Sequence, residues 1–476
     1  MAQGLKVKYR KIDLLVLVPY LLLIFFGWMN IFSSSTETGE FIWSINSKYV
    51  MDLVWIGTSL AIGATILFLI PHQTYSALAW PLYVVMIVLL LAVAVVGVEV
   101  NGSKSWFAIG PVRMQPAEFS KITTAMLLAH TMSVYDFSFK KKKNVVQVLA
   151  ILLIPMLAIL LEKETGSALI YLGFLLMFFR EGMSGWVLAI GFLSAVLFIF
   201  TLVISPFVTL LILMGIIGIL GTLYSRKYLT GALITAAVIT LLSFAPKLLL
   251  IPSLAFLEKF DLSIWIFLLS LPAVIFFILR SLVVGNKLLR NLLLGYILGF
   301  AIICSVNFVF DHVLQDHQRS RIEVLLGMKE DIMDAGYNVH QSMIAIGSGG
   351  FSGKGFLHGT QTRFNFVPEQ STDFIFCTIG EEWGFLGSMF ILSLYLMMIL
   401  KMLYSAEKQK DKFNRIMCYC IAMCFLMHVA INICMTIGLM PVIGIPLPLL
   451  SYGGSSMWAF SILVFIYLRL DLERWK

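Results

Sequence analysis

The sequence predicts an all-α fold, a polytopic bundle of transmembrane helices, on three observations. Hydrophobic residues make up 60% of the 476 and charged residues only 13%, whereas a soluble domain carries about 25% charged residues. Apolar runs long enough to span a bilayer recur about fourteen times. One stretch alone, Asp311 to Asp373, is both long and polar. Connections of that length are usually functional or disordered. This one carries Tyr337, Val339, Ile344, Phe351, Phe356, Phe364 and Phe366, so it is expected to fold back on the bundle.

At the N-terminus, Lys6, Lys8, Arg10 and Lys11 precede an apolar run reaching Ser33. That run is long enough to span and has no small-residue cleavage site, which favours an anchor over a signal peptide. Further spans are expected near 49–70, 78–99, 117–133, 146–162, 165–180, 186–204, 206–222, 229–247, 263–281, 289–310, 373–401, 413–437 and 453–469. They group as 1–205, a nearly featureless block 206–288, and 289–476 with the polar loop 311–372.

Lys and Arg set the orientation. With the N-terminus inside, the inner loops hold Lys140 to Lys143, Arg180, Arg226, Lys227, Arg280, Lys287, Arg290 and Lys401 to Arg415, and the C-terminus is also inside. The polar loop then lies outside, where ATP is absent. The net charge of +8 reflects this bias, and a nucleic-acid partner is not expected. The six cysteines fall in predicted spans, where thiols act as small hydrophobes.

Four polar motifs interrupt the apolar pattern. In Gln115-Pro116-Ala117-Glu118-Phe119-Ser120-Lys121, Pro116 suits a first helical turn, and Glu118 and Lys121 are i, i+3 neighbours. They form either a structural ion pair or the polar lining of a lipid-substrate cavity, since charges in the apolar layer are normally paired. Glu162-Lys163-Glu164 breaks two apolar runs, as a capped turn or as a headgroup contact. Gly347 to Gly355 misses the phosphate-loop spacing. Its backbone could still cradle a pyrophosphate, with Lys354 beside it. The link Pro441–Ser456, containing Ser451, is irregular, which membrane depth tolerates only where backbone is buried or lines a cavity.

Asp373 stands where the polar loop turns into apolar helix, with Arg319, Arg321, Lys354, Arg363 and Glu369 in the same loop. It is either a helix-terminal capping carboxylate or a catalytic one at the water boundary.

Together Asn101–Lys121, Glu164–Ala168, Gln318–Arg321, Gly336–Phe376, Glu381-Glu382-Trp383-Gly384 and Gly438–Ser456 resemble the SEDS family (shape, elongation, division and sporulation), in its elongation branch. The resemblance implies a peptidoglycan glycosyltransferase that polymerises lipid II on the outer face of the bacterial cytoplasmic membrane. It implies a class B penicillin-binding protein and the elongation machinery as partners, beside lipid II and the growing glycan strand. The family's essential aspartate maps to Asp373 in Thr372-Asp373-Phe374-Ile375-Phe376, and its membrane charge pair to Glu118 and Lys121. Glu164 takes the place of an aspartate, and about four helices are added to a family core of about ten. With Asp373 as base, the substrate-binding set is Glu118, Lys121, Arg319, Arg321, Lys354, Arg363, Glu369 and Ser451. A divalent cation, Mg or Mn, is a further expectation, with no organic cofactor. The rival reading is a flippase for a lipid-linked precursor, which would need charges along a through-path.

Overall fold

The computed structural model describes residues 12–36, 41–44, 47–100, 102–109, 112–225, 238, 262–310, 314, 316–326, 328, 336–364 and 366–475. The described residues form two compact units, residues 1–184 with 330–476, and residues 185–329.

In the first unit, Asp13 accepts a hydrogen bond from Leu15 N and so caps α1 (Leu14–Ser35). It is followed by α2 (Lys48–Phe68) and α3 (His72–Val96). Next comes a small antiparallel meander that the all-α expectation omitted, β1 (Val98–Val100), β2 (Ser103–Ile109) and β3 (Val112–Met114). Val100 pairs with Ser103, and Ala108 with Arg113. The Asn101-Gly102 dipeptide is a strong hairpin signal, and Gly102 adopts φ +84° at the turn.

Pro116 then opens α4 (Pro116–Ser133), which is followed by α5 (Lys142–Leu161). The apolar stretch 165–180 is broken into α6 (Thr165–Ile170), a 3-10 turn and α7 (Phe174–Arg180). In the second unit, α8 (Gly185–Val203), α9 (Pro206–Ser225), α10 (Leu262–Val284) and α11 (Lys287–Phe308) pack around Leu210, Ile266, Tyr296 and Phe300, with α12 (Asp316–Leu325) after them. The expected span 229–247 lies outside the described residues apart from 238.

The chain returns to the first unit with α13 (Tyr337–Ser348), α14 (Thr360–Arg363), α15 (Ile375–Glu407), α16 (Lys412–Thr436) and α17 (Gly454–Asp471). Ten described helices are long and apolar enough to cross a membrane. The last two are mostly inside the packing, so α16 and α17 form the middle of the unit. Four of the six cysteines are buried as small hydrophobes, but Cys304 is exposed and Cys434 half-buried.

The described stretches 336–364 and 366–373 of the polar loop pack back through Ala345 and Val367, buried with Phe374, Cys377 and Met435, whereas Ile344, Phe351, Phe364 and Phe366, on which the expectation rested, are exposed. Helix α15 is kinked at Gly384, whose φ of 65° and ψ of −156° are not helical. The glycine-rich loop repairs the break. Lys354 N donates to Glu381 O, Gly355 N to Glu382 O, Phe385 N to Gly350 O and Leu386 N to Phe351 O. Backbone groups freed inside a membrane protein must find such partners. This speaks against a pyrophosphate cradle, because the N–H groups of Gly349, Gly350, Gly353, Lys354 and Gly355 are already spent on carbonyls. A Cβ at Gly384 would also run into Gly353 N and Phe351 O.

Basic side chains gather at the helix ends remote from this loop. There Arg180 pairs with Glu407, Arg415 forks onto Glu181 and Lys401 meets Asp13.

Candidate active site

Asp373 lies in a turn over 371–374, two residues before α15 starts, so its carboxylate is not in the first helical turn. The N-cap position itself is Phe374, which makes no side-chain cap hydrogen bond. The turn folds on Glu369 at φ 53°, with Thr372 N and Phe374 N donating to Glu369 O and Thr372 Oγ1 donating to Glu369 Oε2 at 3.0 Å.

Three successive carbonyls are then held from outside the turn. Tyr452 N donates to Ser371 O at 2.8 Å, Ser451 Oγ to Thr372 O at 2.6 Å, and Asn432 Nδ2 to Asp373 O at 2.8 Å. Asn432 also reaches Ile445 O at 2.7 Å. The irregular link 441–452 and α16 thus fix the backbone of the aspartate. Gly444, at φ +70°, leaves room beside its half-buried carboxyl, since a Cβ there would stand 3.4 Å from Asp373 Oδ2. Ser451, named from the sequence as substrate-binding, is buried and hydrogen-bonded in this scaffold.

Beside the turn opens a polar cleft of about 460 Å³, lined by the end of α1, the start of α2, Arg363 and residues 367–371. Lys48 Nζ donates to Ser371 Oγ at 2.9 Å. Arg363 Nη1 reaches Leu357 O at 3.4 Å. Glu369 lines the same cleft.

Behind Arg363 stands Glu381, fully buried in α15. Its Oε1 accepts from Lys354 Nζ at 2.7 Å, Thr360 N at 2.8 Å and Gln361 N at 2.9 Å, while Oε2 accepts from Thr362 N and Thr362 Oγ1, both at 2.9 Å. One carboxylate therefore gathers the whole N-terminal turn of α14, the helix that carries Arg363, and takes up the Lys354 ammonium. Removing a group that satisfies several buried donors is costly. Glu381→Ala is expected to destabilise the protein by about 3 kcal/mol, read as the thermal midpoint in detergent, with Glu381→Gln in between.

Deeper in the unit, Lys121 Nζ donates to Glu118 Oε2 at 2.9 Å and meets His428 Nε2 at 2.7 Å, above the Phe460 ring. Because an ammonium only donates, His428 must accept on Nε2 and carry its proton on Nδ1. Both Glu118 and Lys121 are 1% exposed, so the pair forms inside closed packing. Glu164, nearer the cleft end, accepts from Gln115 Nε2 at 2.5 Å and from the Ser167 hydroxyl. Burial pushes its carboxyl up from the usual range, against those two hydrogen bonds, and neighbouring Glu118 adds to the rise.

Arg319 and Arg321 sit on α12 in the second unit, where Arg319 pairs with Glu323 at 3.0 Å and lies 4.8 Å from the Phe310 ring centroid. Among the described residues, no three His, Cys, Asp or Glu side chains gather as a metal site. Sequence reasoning missed Lys48, Glu381 and His428. Lys48 did carry a signal, being a lysine at an outer end where the orientation rule leaves few.

The family described as cell cycle protein, covering FtsW, RodA and SpoVE, matches residues 13–216 and 211–476. The chain is 31% identical over 450 residues to peptidoglycan glycosyltransferase RodA of Treponema pallidum, covering 94% of each. It is 28% identical over 420 residues to peptidoglycan glycosyltransferase MrdB of Escherichia coli K12, covering 87% of this chain and 84% of that one. Two solved structures share the fold. One is a chain from work on the structural coordination of polymerization and crosslinking by a peptidoglycan synthase complex, with TM-score 0.60, 20% identity and coverage of 98% and 99%. The other is the rod shape determining protein RodA of Thermus thermophilus, with TM-score 0.53, 19% identity and coverage of 98% of each chain.

Proposed function

The chain belongs to the cell cycle protein family of FtsW, RodA and SpoVE, and from that membership we propose that it is a multi-pass membrane peptidoglycan glycosyltransferase acting in cell elongation. Its substrate is lipid II, joined into glycan strands on the outer face of the cytoplasmic membrane, with both termini on the cytoplasmic side. The basic side chains at the helix ends remote from the polar loop support that orientation.

The observation that carries the reading is a single aspartate in a turn whose backbone is held by α16 and the link 441–452, directly after residues 367–371, which line the polar cleft with Lys48 and Arg363. In the proposed step the acceptor sugar's 4-hydroxyl attacks the anomeric carbon of the lipid-linked donor. A C–O bond forms, and the bond from that carbon to the phosphate oxygen breaks. The electron pair leaves on undecaprenyl diphosphate, and the hydroxyl proton passes to the Asp373 carboxylate. An alcohol is a weak nucleophile, so a positioned base is the help required. The leaving group is already good and needs charge neutralisation rather than a second protonated carboxyl.

Arg363 faces the cleft and is assigned to that role. Lys354 is assigned to holding the loop through Glu381. Glu118 and Lys121 form the buried polar floor against which the polyprenyl groove is proposed to lie. Arg319 and Arg321 remain further cations of the loop. A Mg or Mn ion held by one or two carboxylates and substrate phosphates would face Glu369, the carboxylate in the cleft lining, and would neutralise diphosphate charge. The expected partner is a class B penicillin-binding protein that cross-links the strands, a reading supported by the likeness to a chain from a peptidoglycan synthase complex.

The test is to incubate the purified protein and that partner with lipid II. One undecaprenyl diphosphate released per glycosidic bond is the expected result. Movement of lipid II across a vesicle without polymer would favour the transporter reading instead.

A further inference from the structure

Two hydroxyls at the end of α1, Ser35 Oγ and Thr36 Oγ1, are buried and have no hydrogen-bond partner among the described residues. Buried polar atoms are nearly always satisfied, so adjacent orphans call for a ligand, an ion or a water. Both residues line the polar cleft, where Lys48 and Arg363 add positive charge from two other segments. The cleft's carboxylate, Glu369, is engaged with Thr372 Oγ1.

Ser35, Thr36, Lys48 and Arg363, from three parts of the chain, therefore line one space of about 460 Å³. A neutral sugar offers no charge to match Lys48 and Arg363, the two cations of the lining. A diphosphate presents acceptor oxygens only, carries the opposite charge and fits a space of this size.

We propose that this cleft is the diphosphate subsite of the polyprenyl-linked donor, with Lys48, Arg363 and the Ser35 and Thr36 hydroxyls as its donors. The assignment rests on the glycosyltransferase reading above. Lys48 has three N–H donors, and the one on Ser371 ties it to the residue two before Asp373. The same ammonium can thus hold the donor diphosphate and keep its distance from the base fixed. As the bond to the anomeric carbon breaks, negative charge grows on the phosphate oxygen, and the two cations stabilise it where it forms.

The experiment measures undecaprenyl diphosphate binding and lipid II polymerisation for wild type, Lys48→Ala, Lys48→Arg and the double variant Ser35→Ala with Thr36→Val. Losing one charged hydrogen bond should weaken diphosphate affinity and raise KM for lipid II roughly 10-fold. Lys48→Arg should recover most of the loss, and neutral undecaprenol should bind all four proteins equally. Unchanged diphosphate affinity and KM in Lys48→Ala overturn the proposal. So does an equal loss for undecaprenol, which would mark damage to the groove. A second arm uses lipid II with its stem-peptide carboxylates amidated. If the Lys48→Ala penalty disappears there, the bound anion is the peptide and the proposal fails. Absence of glycan from wild type would sink the enzyme reading itself, whereas normal glycan with an indifferent Lys48→Ala sinks only the subsite.

Discussion

Replacing Lys121 by methionine is expected to lower the unfolding free energy by roughly 3–5 kcal/mol. The lysine is 1% exposed and lies between Glu118 and His428, 5.4 Å from the Phe460 ring centroid. Without it, Glu118 keeps a buried charge with no counter-ion, and His428 loses the donor on Nε2. Breaking a buried pair from one side is far costlier than replacing the whole pair. The double variant Glu118→Gln with Lys121→Met should therefore recover most of the loss. Thermal or denaturant unfolding in detergent, compared across the single and double variants, checks this. Equal stability of Lys121→Met and wild type would mean that the pair is not paired in the protein.

The helices were legible because apolar length is a strong signal, and every expected span within the described residues contains helix. Lys121 and Glu118 were legible as neighbours because i, i+3 spacing is local. His428, 307 positions away from Lys121, could not be found by spacing. The same limit hid Glu381. Its sequence neighbours place it in an apolar helix, while its partners at 354 and 360–362 come from a separate stretch of chain about 20 residues or more away. The β meander followed from Asn101-Gly102, a turn chemistry passed over in favour of an undivided loop. Asp373 itself was legible from the change of composition around it, but its position before the helix was not. Helix starts are local hydrogen-bonding events, and here Thr372 N and Phe374 N turn back onto Glu369 O before the helix begins.

Asp373→Asn is expected to reduce polymerisation about 10²–10⁴-fold, the usual contribution of a positioned general base. The substitution keeps shape and volume. The backbone of residue 373 is held by Asn432, with Ser451 and Tyr452 holding the two residues before it, contacts that do not involve the side chain. Loss of rate with an unaltered melting temperature would then belong to the chemistry, and Asp373→Glu, displaced by a methylene, should fall between. The most direct test is the glycan yield of purified protein and partner on lipid II, wild type against Asp373→Asn. The account predicts glycan strands from the first and almost none from the second; equal yields from two equally stable proteins would contradict it.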